Sequence, residues 1–257
     1  MERRAMKFDL FDEKMRKFEQ SLDTVVPADF YMAARLDGKG FTRLTKQTLD
    51  LKRPFDERFR DAIIKTVGHL MEKSAFEIVY AYAESDEISL LFKKDTTSFN
   101  RKVRKYNSLL AAQTSVKFSQ LMGAEAIFDC RMIPLPTLDD VQDYFLWRME
   151  DSHRNSIHAY CYYQLRDNGK SAKEAADELK SKVIDYKTDL LAEYGIDINA
   201  IPSWEMYGYG VYFTASEKVG FNPVKNTTET AERRVLHADF ELPHGDDYRN
   251  LIKKLAG

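Results

Sequence analysis

Two acidic residues, each beside a small residue, have the types and setting to do chemistry. Asp37 stands in the run Arg35-Leu36-Asp37-Gly38-Lys39-Gly40-Phe41, where an apolar stretch ends, and Asp86 stands in Ala83-Glu84-Ser85-Asp86-Glu87 between two β-rich runs. Two carboxylates brought together cannot both ionise cheaply without a cation. Hard oxygen ligands suit Mg2+, which keeps waters and takes phosphate oxygens to complete its shell. Two such ions can activate an attacking hydroxyl and stabilise a leaving pyrophosphate. Gly38 lets the chain turn sharply and bring its carbonyl to a metal. Lys39, Gly40, Phe41 and Thr42 could then present backbone amides to a triphosphate. Each motif alone reads more readily as a plain turn, since acidic turns such as Asp-Gly and Ser-Asp-Glu far outnumber metal sites. Their joint occurrence at matching places is what points to a metal site. Glu87 ranks lower, because on a strand its side chain points opposite to that of Asp86.

The elements that must position these acids follow from periodicity. Residues 31–36 form a short strand opening into the Asp-Gly turn. Over residues 57–71, Phe59, Ile63, Ile64, Val67, Leu70 and Met71 share one face at helical spacing. Residues 76–82 and 88–92 are two β-rich runs flanking the Ser85-Asp86 segment, a hairpin. A helix is expected over residues 99–121, with Val103, Tyr106, Leu110 and Thr114 inward, and a fourth strand over 126–134. The order β-α-β-β-α-β is ferredoxin-like, within the α+β class, and lays the end of the first strand beside the hairpin tip.

Beyond Pro136 the chain turns helical. Thr137 is an N-cap for a helix over 138–166, and Ser171 with Glu174 forms a capping box for another. Gly195 is a natural residue to follow a helix end. Residues 207–213 and 234–242 read as two late strands in a small additional sheet, and the polar stretch 218–232 between them reads as a long loop. The expected organisation is therefore a catalytic core with an N-terminal helix over residues 1–136, and a helical and β extension over 137–257 packed on it as one compact unit.

Composition sets bounds on partners and setting. The chain has 257 residues, 44% hydrophobic and 12% aromatic, enough for a sizeable bulky core. A formal net charge of −2 gives no global signal of a nucleic-acid binder, so any RNA site must be a local basic patch. Cys130 and Cys161 are too few for a disulfide framework and lack metal-ligand spacing. The charged N-terminus has no apolar leader segment, and no run approaches the ~20 apolar residues of a membrane helix. A cytoplasmic protein without a membrane partner is expected.

The two acidic segments together resemble the signature motifs of the tRNA-His guanylyltransferase family. Phe128-Asp129-Cys130-Arg131 is similar to that family's fourth strand, Trp147-Arg148 with Asp151, His153 and Asn155 to the helical segment after it, and residues 234–239 to its closing strand. The resemblance spans residues 35–239. It implies a palm-like fold and an unusual reaction, extension of RNA in the 3′-to-5′ direction. The 5′ end of a tRNA is activated with ATP, and the 3′-hydroxyl of an incoming nucleotide, usually GTP, attacks the activated phosphate. Carried over, Asp37 and Asp86 would bind two Mg2+ with help from the Gly38 carbonyl. Lys39 to Thr42 would cradle the triphosphate beside Ser85. Lys105, Arg131, His153, Asn155 and Lys187 would contact the activating nucleotide or the 5′ phosphates. Family members are commonly tetramers, so a homotetramer is expected.

Two departures refine the expectation. Guanylyltransferases acting on tRNA-His typically read His-Ile-Asn-Asn where this chain has His153-Arg154-Asn155-Ser156. The segment Tyr207-Gly208-Tyr209-Gly210 stands where a basic pair is expected before the glycine. The first is similar to guanylyltransferase-like proteins that repair truncated tRNA 5′ ends on a template; with the second speaking against dependence on tRNA-His, such repair is the expected function. The alternatives are a tRNA-His-specific enzyme, a palm-type nucleotide cyclase, and a catalytically silent RNA-binding protein. The densest basic stretch, residues 100–105, reads either as a phosphate grip or as a solvated helix face. Without the resemblance, His153 and Lys187 would carry no role. Met32, Met71, Met122 and the aromatic run 160–163 read as core packing.

Overall fold

A computed structural model describes residues 2–222 and 227–257, with backbone alone for 2–6, 217–222 and 227–231. In chain order the elements are α1 (Glu2–Gln20), β1 (Tyr31–Lys39), α2 (Phe41–Arg43), α3 (Glu57–Lys73), β2 (Ile78–Glu84), β3 (Glu87–Phe92), α4 (Val103–Met122) and β4 (Ile127–Leu135). They continue as α5 (Leu138–Asp167), α6 (Ala172–Leu179), α7 (Ile184–Glu193), α8 (Ser203–Tyr207), β5 (Tyr209–Asn222), β6 (Thr227–Asp239) and α9 (Gly245–Ala256). One antiparallel sheet runs β4-β1-β3-β2-β5-β6. Its first four strands have the ferredoxin-like arrangement that the element order implies.

The late strands correct the sequence reading. They do not make a sheet of their own: β5 adds to β2 from Tyr80↔Tyr212 to Ala83↔Tyr209. In a four-stranded ferredoxin-like sheet β2 is an edge, with a row of N–H and C=O groups that need partners. Pairing of β5 with β6 continues to Asn222↔Thr227, so most of the loop expected over 218–232 is strand, and its residues 223–226 lie outside the described residues. Polarity misled there, whereas the β-branched Thr227, Thr228 and Thr230 suit a strand.

Side chains alternate across the sheet and feed two apolar layers. Met32, Ala34 and Leu36 of β1 pack under α3 and α4 with Ile63, Val67, Leu110 and Phe118. Ala33 of β1, Tyr80 and Tyr82 of β2 and Leu91 of β3 pack under α5 and α9 with Phe145, Tyr248 and Ile252. A third cluster joins the second half of α5 to α6, α7 and α8 through Ile157, Cys161, Leu165, Leu179, Leu191 and Met206. Both expected N-caps close reciprocally, Thr137 with Asp140 and Ser171 with Glu174. Gly195 takes φ 75° just past α7. No helix among the described residues is long and apolar enough to cross a membrane.

The basic stretch also departs from expectation. Phe99, Asn100 and Arg101 all have positive φ, so the helix starts at Val103 and not at Phe99. Arg101, 7% exposed, turns inward and donates to the carbonyls of Val26, Pro27, Phe30, Lys94 and Thr96. Lys102 and Arg104 both pair with Asp23. These three cations hold the chain where β1 begins.

Candidate active-site cleft

The acids lie at the opposite end of the sheet, where β1 finishes beside the β2–β3 turn. Asp37 pairs with Glu87 across β1 and β3, and the next residue along, Gly38, donates its N–H to the Asp86 carbonyl at 3.1 Å. Ser85 takes φ 47° to make the turn, and its hydroxyl donates to Asp86 Oδ1 at 3.2 Å. Asp86 Oδ2 lies only 2.6 Å from where a Cβ on Gly38 would stand, and the Phe41 ring lies 2.4 Å from that point. Glycine is required there because any side chain would meet the carboxylate and the ring together.

Asp37 and Glu87 are register partners on β1 and β3, and Asp86, in the turn between β2 and β3, reaches over Gly38 beside the Phe41 ring. Glu87 is gripped by the buried Arg148, which donates from Nε to Oε1 at 2.6 Å and from NH2 to Oε2 at 3.1 Å. Arg148 also holds Asp151 at 3.1 Å, so this arginine is occupied on both sides. Burial pushes the Asp86 carboxyl up to about 6, with the charges of Asp37 and Glu87 adding to the effect. Burial, then the charge of Glu87, pushes Glu84 up to about 7. Glu84 is 9% exposed; its Oε1 accepts from Asn155 at 3.4 Å, while its Oε2 has no protein partner.

Crowded, buried carboxyls with a missing Cβ beside them fit a hard divalent cation. Among the described residues no group of three or more His, Cys, Asp or Glu side chains is placed to hold a metal. A divalent cation at this strand end would need phosphate and water to complete its shell.

A cleft of about 550 Å³ opens from Ser85 and Asp86 between the segment 41–60 and α5. Of the residues expected around the nucleotide, Phe41, Thr42, Ser85, Asp86 and Asn155 line it, while Asp37, Gly38, Lys39 and Gly40 do not. Gly40, at φ 74°, turns the chain into α2, and the first-turn amides of Phe41 and Thr42 have no protein acceptor among the described residues. Phe41 itself is an anchor, its ring packed at 4.9–5.8 Å from Phe59, Phe118 and Phe128. Lys39 is exposed at the end of β1.

The remaining residues carried over from the resemblance are scattered. Arg131 on β4 pairs in register with Arg35, on the Asp37 side of the sheet and outside the cleft. His153 points away from the cleft and stacks on Tyr207 at 4.6 Å. Burial lowers its pKa, Glu150 opposes this, and His244 adds to it. Lys187 does not line the cleft, yet its charge helps burial lower the pKa of His158, which does. Lys105 lies far off. Ser115, ten residues further along α4, receives the Phe128 N–H near the acids, which leaves Lys105 roughly 15 Å back at the 1.5 Å rise per helical residue.

Sequence reasoning missed several lining residues. Glu84 was visible as an acid at the end of an apolar strand, an expensive choice unless it meets a ligand. Phe55, Trp204 and Glu205 gave no signal, because only the tertiary fold brings them to the cleft. Tyr162 and Tyr163, read as core packing, line it as well.

A ferredoxin-like sheet with acids at neighbouring strand ends beside a cleft of about 550 Å³ is the arrangement that the family resemblance implies. The tRNAHis guanylyltransferase family model matches residues 12–136, and the model of the Thg1 C terminal domain matches residues 139–242. The chain belongs to the tRNAHis guanylyltransferase family. The tRNA(His) guanylyltransferase of Candida glabrata is 31% identical over 215 residues, covering 79% of this chain and 89% of that one. Two solved structures of a bacterial tRNA(HIS) guanylyltransferase (Thg1)-like protein share the fold. The ATP complex has a TM-score of 0.75 at 23% identity and covers 96% of this chain and 99% of that one. The GTP complex has a TM-score of 0.71 at 24% identity and covers 96% and 98%.

Proposed function

We propose that this nucleotidyltransferase works in the 3′-to-5′ direction, adding nucleotides, GTP favoured, to the 5′ end of tRNA after activation with ATP. Its role is template-dependent repair of truncated tRNA 5′ ends. One observation carries the reading: the buried Asp86 carboxyl, raised to about 6, sits over a glycine at the mouth of the cleft with Asp37 on the adjoining strand.

Asp37, Asp86 and the Gly38 carbonyl would hold two Mg2+. When bound, these ions supply charge neutralisation at the attacking hydroxyl and the leaving phosphate. The amides of Phe41 and Thr42, with Lys39 and Ser85, orient the triphosphate. Asn155 reaches the same cleft through Glu84. In the transfer step the 3′-hydroxyl oxygen of the incoming nucleotide bonds to the activated 5′ phosphorus. The phosphoanhydride bond to the activating group breaks, and that group leaves with the electron pair. Arg131, His153 and Lys187 would serve the activated RNA end from outside the cleft. Lys105 could do so only across a gap of roughly 15 Å along α4. The reading also places the enzyme in the cytoplasm as a homotetramer; a solution mass of one chain would count against the assembly.

The repair role rests on Arg154 and Ser156 after His153, and on Tyr207 before Gly208. The names of the relatives favour the narrower alternative, a tRNA-His-specific guanylyltransferase. Labelled GTP with Mg2+, ATP and tRNAs lacking their first 5′ nucleotide separates the two. Addition dictated by the opposing 3′ strand supports repair, whereas addition confined to tRNA-His refutes it. A soluble cyclic product from GTP alone would make the chain a cyclase.

A further inference from the structure

Along α5 the cleft continues past Asn155 into an arm that the reading above leaves without a task. Tyr162 and Tyr163, seven and eight residues on, lie roughly 10 Å further along the helix at 1.5 Å per residue. Their rings meet edge to face at 5.3 Å. Lys46 Nζ stands 5.3 Å from the first ring and 5.4 Å from the second, and the Arg53 guanidinium stands 5.7 Å from the second. All four side chains line the cleft, and Lys52 lies beside them.

Lys94 on Tyr31 and Lys182 on Tyr186 are single cations on single rings without an ion pair among the described residues, whereas the arm gathers two rings and several cations in the wall of one cleft. Arg60 and Arg148 also rest on aromatic rings, but each has carboxylate partners, Asp61 and Glu57 for the first, Glu87 and Asp151 for the second. Lys46, Lys52 and Arg53 form no ion pair among the described residues. The only protein acceptor of the Arg53 guanidinium among the described residues is the Lys46 carbonyl, at 3.3 Å. The arm thus offers flat π-faces together with positive charge that is not neutralised. A ligand with a planar ring and an anion suits both.

We propose that this arm is a subsite for a nucleotide of an RNA strand, its base stacked on Tyr162 or Tyr163 and its phosphate held by Lys46 and Arg53. The inference rests on the nucleotidyltransferase reading for its choice of RNA. A free triphosphate belongs at the other end of the cleft, where Asp86 and the amides of Phe41 and Thr42 lie. Stacking tolerates any base, which fits a substrate whose sequence varies.

The test measures binding without catalysis. The full chain is titrated into a fluorescently labelled six-nucleotide single-stranded oligoribonucleotide, followed by anisotropy, and GTP affinity is measured on the same samples. Replacing both tyrosines by alanine should weaken oligonucleotide binding about tenfold or more, while Tyr162→Phe with Tyr163→Phe should restore it. Lys46→Gln and Arg53→Gln should each reduce the slope of log affinity against log salt by about 0.7. GTP affinity should stay within about twofold, since these side chains lie away from the triphosphate end. Absence of oligonucleotide binding by the parent chain would overturn the proposal. So would unchanged binding in the alanine variant with unaltered slopes in the glutamine variants, or a loss of GTP affinity as large as the loss for RNA. Failure of nucleotide addition to tRNA with oligonucleotide binding retained would sink the functional reading and leave this subsite standing.

Discussion

Where β1 begins, Arg101 gives its guanidinium to five backbone carbonyls and Asp23 answers both Lys102 and Arg104. Where β1 ends, Glu84 keeps a carboxylate oxygen with no partner, and Asp86 has a single serine hydroxyl. Both regions bury charge, and they bury it in different conditions. At the first, every cation has an acceptor within the chain, so the charge serves to hold the backbone. At the second, the acids exceed the groups available to satisfy them, which destabilises the ligand-free protein and favours an incoming cation. Density of charge in a sequence does not distinguish these cases. What distinguishes them is whether the partners are already present.

The largest effect expected from breaking this contrast is at the acid end. Asp86→Ala or Asp37→Ala should lower nucleotide addition more than about 100-fold, with the circular dichroism spectrum and melting temperature retained or raised. Comparable activity in either variant would refute the metal assignment. At the other end Arg101→Ala should do the reverse. It strands buried carbonyls and should cost about 3 kcal/mol of stability in denaturant titration, while the protein that remains folded keeps its specific activity.

A pH series sharpens the comparison further. Asp86 and Glu84 titrate above the ordinary carboxylate range in the fold, to about 6 and about 7, so protonation stabilises the metal-free protein. The contribution of these two groups to its stability should be fullest below the unfolded value of about 4 and should be lost as pH rises through 6 and 7. Mg2+ affinity should rise over the same window, because the ion competes with those protons. A metal-free melting temperature that climbs between pH 5 and 7, with no loss over that window, would contradict the crowding. The smallest effect belongs to Arg104→Ala. This exposed side chain shares Asp23 with Lys102, and its loss should move the melting temperature by less than about 2 °C.

Much of this was legible in the residues. The apolar run 31–36, the β-rich run 88–92 and the helical spacing of 57–71 mark the core elements, and the Asp37-Gly38 and Ser85-Asp86 segments identify where strand ends meet. The fate of β5 was not legible, because a strand's partner depends on which edge is left open, a property of the assembled sheet. Arg101 was likewise hidden, since three consecutive positive φ values turn it inward and no residue in that run is glycine. Glu87 was ranked below Asp86 from strand alternation alone, and the structure adds the reason it is occupied, the fork of Arg148 arriving from α5. Tyr162 and Tyr163 were read as core because a helical aromatic run has that meaning more often. The cleft beside them is made by a segment more than a hundred residues earlier in the chain.

The Tyr80 hydroxyl, in the middle of β2, is hydrogen-bonded at 2.8 Å to that of Tyr248 on α9, and both rings are fully buried. The last helix of the chain is in this way tied to the strand that leads to Glu84, and β5 seals that strand's outer edge. A fragment cut after Pro136 would uncover a row of unanswered amides and a hydroxyl in an emptied apolar layer. The carboxylates keep their posture only with α9 seated against β2, so a change in that helix acts on the acid end of the sheet from its far side.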